Sequence, residues 1–154
     1  MPKLPNPLRT LLVAAVPSAL AVSALTVVAC SPARSAVPAD AHVEILQTQK
    51  LVLHGTIAPH PASASCASSA EGSAPQYLRL NEDTTGNIVL RPTGVTAVLH
   101  VQELASNKTW CVMTSGDASG ATIPGEFPLG DYSITVEGSR STSPAPYSVV
   151  FERL

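Results

Sequence analysis

The chain has 154 residues, 9 Lys and Arg against 11 Asp and Glu, and a composition that is 45% apolar. It is long enough to bury one domain's core, and it has no basic stripe and no acidic tail, which argues against nucleic acid as a partner. Its 14 prolines weigh against long helices.

The first ten residues carry Lys3 and Arg9 and no acid, and residues 11–29 carry no charge. A positive start, an apolar run rich in Leu, Val and Ala, and a small-residue exit form an export signal. Without residues 1–29 the chain has 125 residues; both cations in that segment leave with it, so 7 Lys and Arg face 11 acids, a net charge of −4.

Val27-Val28-Ala29-Cys30 closes the apolar run. It resembles the lipobox of bacterial lipoproteins: aliphatic, tolerant, small, then Cys. The resemblance implies that the Cys30 thiol takes a diacylglycerol and that cleavage falls just before it. Further acylation of the new amino group, with chains such as palmitate, then follows. One acyl chain binds a bilayer only marginally, whereas two or three anchor stably. The partner so implied is the membrane, through covalent lipid, at the bacterial cell envelope. Ser31 rather than Asp after the cysteine implies the outer membrane in a host with two. Two other readings of the residues stay open. One is a plain signal peptide with a chance Cys; the other is an uncleaved span, since the run approaches the roughly 20 residues that cross a bilayer.

Residues 30–41, rich in Ser, Pro and Ala, are expected to form a flexible tether. Residues 42–154 are then the folded domain. With Cys30 lipidated, Cys66 and Cys111 remain. In an oxidising compartment two thiols suggest a disulfide, closing a loop of about 45 residues. Two free thiols, or a metal pair, are the alternatives.

From His42 onward, short alternating runs are separated by turn residues. Strands are expected at residues 43–46, 51–57, 77–80, 88–90, 95–104, 108–113, 132–138 and 147–152. Turns are expected at 81–87, 92–94, 106–107 and 116–120, and a long loop over 62–75. Leu51, Leu53 and Ile57 share one face, as do Ala97, Leu99 and Val101. So do Tyr132, Ile134 and Val136, and Tyr147, Val149 and Phe151. Period-two alternation marks half-buried antiparallel strands. The expected fold class is all-β, an antiparallel sandwich of about eight strands, jelly-roll-like.

Phe127-Pro128-Leu129-Gly130-Asp131-Tyr132 followed by an alternating strand, with Tyr147-Ser148-Val149-Val150-Phe151 last, is similar to the ending of the bacterial pre-peptidase C-terminal domain. Leu51-Val52-Leu53-His54-Gly55-Thr56-Ile57 resembles that family's early strand. The resemblance implies a jelly-roll-like sandwich acting as an accessory or binding module. That family's middle strand opens with Asp residues. Val95-Thr96-Ala97-Val98 has none, so no calcium site is carried over. Fold resemblance alone says little about function.

The chain holds no Gly-x-Ser-x-Gly elbow and no HExxH or HxxxH spacing. His42, His54, His60 and His100 lie on separate elements, with His54 and His100 on the outer faces of strands. Asn81-Glu82-Asp83 has oxygen ligands but not the spacing of a calcium loop. No enzyme, cofactor or metal is expected. Trp110, the only Trp, is expected in the core beside the disulfide. If Cys111 instead faces inward, alternation turns Trp110 outward, where with Tyr77 it could contact a ligand. The expected function is a lipid-anchored module for protein–protein interaction at the envelope. The alternative is a glycan-binding sandwich, which requires Trp110 and Tyr77 exposed on one face.

Overall fold

The computed structural model describes residues 35–59, 62–67, 74–115 and 120–154. Cys30 with the whole export signal, His60, and most of the turn expected at 116–120 lie outside the described residues. No described helix is long and apolar enough to cross a membrane.

The fold is all-β. Among the described residues nine strands run in chain order: β1 (Val43–Ile45), β2 (Lys50–Ile57), β3 (Gln76–Leu80), β4 (Thr84–Pro92), β5 (Thr96–Glu103), β6 (Thr109–Met113), β7 (Ala121–Phe127), β8 (Gly130–Ser139) and β9 (Ala145–Arg153). They form two sheets, one ordered β1-β3-β8-β5-β6 and the other β2-β9-β4-β7. All pairings are antiparallel except the short edge strand β1, which runs parallel to β3.

Alternation places the core where the hydrophobic pattern puts it. Leu53 and Ile57, Ala97, Leu99 and Val101, Tyr132, Ile134 and Val136, and Tyr147, Val149 and Phe151 all join one buried cluster, with Leu51 packed against it. At one flank Phe127 holds an aromatic group together. Its ring centroid lies 5.5 Å from Trp110, 5.4 Å from Phe151 and 6.3 Å from Tyr132.

One strand more is present than the pattern predicts. The added strand is β7, whose interior Pro124 and Gly125 read as breakers. It is an edge strand, where a missing N–H can be tolerated, and it pairs with β4 over seven residues. The same pairing extends β4 back to Thr84, so the turn expected at 81–87 is only its first three residues. There Gly86 accepts a close approach: a Cβ would stand 2.5 Å from the Glu152 carbonyl oxygen.

Gly55 has a comparable reason. It pairs with Tyr147 across β2 and β9, and the phenol ring covers it, 2.3 Å from where a Cβ would stand. Gly55→Ala is therefore expected to displace the Tyr147 ring and to cost roughly 1–3 kcal/mol. A lowered urea midpoint with unchanged slope would show it. An unchanged midpoint would mean the ring moves freely.

Tyr132 donates its O–H to the Pro128 carbonyl at 2.6 Å. Burial, with the nearby charges of Glu103 and Asp83, pushes its phenol well above the ordinary value of 10.0. Burial raises Tyr147 as well. Above the unfolded value of about 10 the unfolded chain loses these protons while the folded chain keeps them, so stability falls as pH rises. Tyr132→Phe is expected to flatten that alkaline decline and to cost about 1 kcal/mol at neutral pH through the lost hydrogen bond. Urea unfolding of both forms at about pH 8 and about pH 11 reads both effects.

Candidate functional site

Two places on the sandwich depart from a plain two-layer domain: an open cleft along one flank, and a covered outer face on the five-stranded sheet.

The cleft lies where the edge strands of the two sheets, β1 and β2, come side by side. Its volume is about 480 Å³, and His42, Glu44, Val52, Leu53, His54, Gln76 and Tyr77 line it together with Ala41 and Pro75. Leu53, buried, is its most enclosed side chain, while Val52 at its rim is 39% exposed. Gln76 bridges the two sheets, its Nε2 donating to the His54 carbonyl at 2.7 Å. Its Oε1 is buried and has no hydrogen-bond partner, an acceptor that an entering donor would satisfy. His42 Nε2 and Glu44 Oε1 meet at 2.9 Å on the β1 side.

The cleft combines a small apolar base, one phenol ring and dispersed hydrogen-bonding groups. Such a set can hold an extended chain or a small polar ligand. Among the described residues no three His, Cys, Asp or Glu side chains are placed to hold a metal ion.

The covered face follows from the disulfide. Cys66 and Cys111 are bonded, with Cα atoms 5.6 Å apart. Cys111 pairs with His100 in the ladder and points away from the core, as His100 does. Residues 62–67 therefore form a strap on the outer side of this sheet. Arg140 fixes its start, donating its backbone N–H to the Ala62 carbonyl and its Nε–H to Ser63 Oγ. Beneath it, residues that alternation assigns to solvent are enclosed: Val98 is 0%, Glu137 3% and Thr135 8% exposed. His100 Nε2 and Glu137 Oε1 are buried without a hydrogen-bond partner. His100 is thus on the outer face, as expected, and half-buried, with its Nε2 shut off from solvent. His54, by contrast, is exposed.

Since Cys111 faces outward, Trp110 turns inward, opposite Val101 in the ladder. It is half-buried against Phe127 and Tyr132, with Lys108 Nζ 4.6 Å from its ring centroid. Tyr77, on the other face of the same sheet, lines the cleft. The two aromatic residues that a glycan surface would need on one face are separated. Gln76 and Glu44 were invisible as site residues in the sequence. Only the meeting of two edge strands from different sheets brings them together.

The segment expected as a free tether up to Ala41 is engaged from Ser35 onward. Ser35 Oγ donates to Asn107 Oδ1 at 3.0 Å, and the Ala41 N–H closes a turn on the Pro38 carbonyl.

No protein-family model matches the chain, and no curated protein matches its sequence.

Proposed function

We propose that this chain is a lipid-anchored envelope protein whose β-sandwich is a non-enzymatic module for protein–protein interaction, with the cleft between β1 and β2 as its contact site. The observation that carries the binding reading is the cleft's position. It opens between two sheet edges, so backbone groups, the Gln76 acceptor and an apolar base are offered side by side. An extended segment of a partner protein matches that set, its N–H groups meeting acceptors and its side chains meeting Leu53 and Val52. Export and anchoring rest on Lys3, Arg9, the uncharged run and Val27-Val28-Ala29-Cys30.

The test is crosslinking in cells with the tagged protein, using Cys30→Ser and Val52→Glu forms as controls. A reproducible envelope protein that both changes remove is the expected result. Capture of background alone, or capture indifferent to Val52→Glu, counts against the cleft.

A further inference from the structure

We propose that the end of the sandwich carrying the β5–β6 and β7–β8 turns rests on the lipid surface, with Leu129 entering the interface and Lys108 against the headgroups. This rests on the reading of Cys30 as the lipidated residue.

The argument begins with reach. Ser35 is held at Asn107, in the β5–β6 turn. Cys30 is five residues upstream, and five residues fully extended span at most about 18 Å. The longest strand, β8, has ten residues, close to 33 Å. The lipid is therefore confined to about half a domain length from this end, and the turn between β8 and β9 lies at the other.

The surface at the anchored end fits a bilayer. Leu129 is 62% exposed, an apolar side chain presented at the tip of the turn. Its position is fixed, since its backbone N–H donates to Asp83 Oδ1 at 2.8 Å. The two turns are neighbours: the Leu104 N–H donates to the Asp131 carbonyl at 2.9 Å, and Lys108, Pro128 and Asp83 line one depression of about 320 Å³. Two of the acids at this end are neutralised by ion pairs. Asp131 holds Arg79 through two hydrogen bonds of 2.6 and 2.9 Å, and Glu82 holds Arg153 at 2.5 Å. Asp83, whose Oδ1 accepts the Leu129 N–H, and Glu126 remain without a cation among the described residues, both exposed at the rim.

One Leu and one Lys would not bring a soluble protein to a membrane. A covalent anchor within this distance makes the contact intramolecular, and the high effective concentration lets a weak contact set orientation. The cleft between β1 and β2 would then lie on the flank, open to a partner.

The test uses the processed, purified chain in vesicles of phosphatidylethanolamine and phosphatidylglycerol with brominated acyl chains. Intact mass is read first. Leu129→Trp and Thr142→Trp, each combined with Trp110→Phe, are then compared for fluorescence quenching. Quenching of Leu129→Trp several-fold stronger than of Thr142→Trp is the expected result. Equal or weaker quenching overturns the proposal. Should Trp110→Phe fail to fold, hydrogen exchange on the unsubstituted chain decides: amides of 129–130 slowed by vesicles relative to detergent, with those of 140–143 unchanged, support the docking, and any other pattern refutes it. A mass without lipid removes the anchor reading and this proposal with it. A lipidated chain with no preferred end removes this proposal alone.

Discussion

Removing the Cys66–Cys111 bond by the double change Cys66→Ala and Cys111→Ala is expected to lower stability by roughly 4 kcal/mol. The two cysteines are 45 positions apart, so the bond restricts a long loop in the unfolded chain. In the folded chain it holds the strap over Val98, His100, Thr135 and Glu137. Arg140 would still hold the strap at Ala62 and Ser63, while the Cys66 end would lose its covalent tie to β6. Opening gives water to the unpartnered His100 Nε2 and Glu137 Oε1, which offsets part of the cost of exposing Val98. The main core lies on the other side of the sheet, between the layers, and is expected to persist. Urea unfolding gives the stability change, and the reactivity of His100 toward an imidazole reagent gives the uncovering. A double variant as stable as the parent, with His100 equally shielded, would show that the bond holds nothing.

Phe127→Ala is expected to cost about 3–5 kcal/mol. Phe127 is 1% exposed and is the one ring that contacts Trp110, Tyr132 and Phe151 alike. It therefore ties β7, an edge strand, to β6, β8 and β9, and no smaller side chain reaches those partners. Beyond stability, Trp110 should lose its closed environment on the core side, so its emission is expected to shift to longer wavelength in the folded variant. A loss under 1 kcal/mol, with unshifted emission, would mean that this flank is loosely packed.

The fold was legible where one face of a strand is wholly apolar. In β2, β5, β8 and β9 the alternating residues face the core as their spacing implies. It was less legible in β7, where Pro124 and Gly125 look like a break and only the edge position makes them tolerable. Thr84 to Asn87 likewise has turn-like composition and is a strand because β7 and β9 flank it. The Cys66–Cys111 pairing followed from counting thiols, but its direction did not. Which way Cys111 points depends on the strap crossing the outer face, and that placement in turn decides that Trp110 faces inward and His100 is half-buried with its Nε2 covered. Tyr77 was legible as an aromatic residue on a strand. Its companions in the cleft were not, because β1 and β2 are consecutive in sequence yet belong to different sheets.

The proposed lipid anchoring at Cys30 underlies both the proposed cellular address and the proposed orientation. Intact-mass measurement of the protein extracted from membranes tests it most directly. The predicted result is a chain beginning at Cys30 that carries a diacylglyceryl group. A chain beginning at another residue, or one whose Cys30 thiol is unmodified, would contradict it.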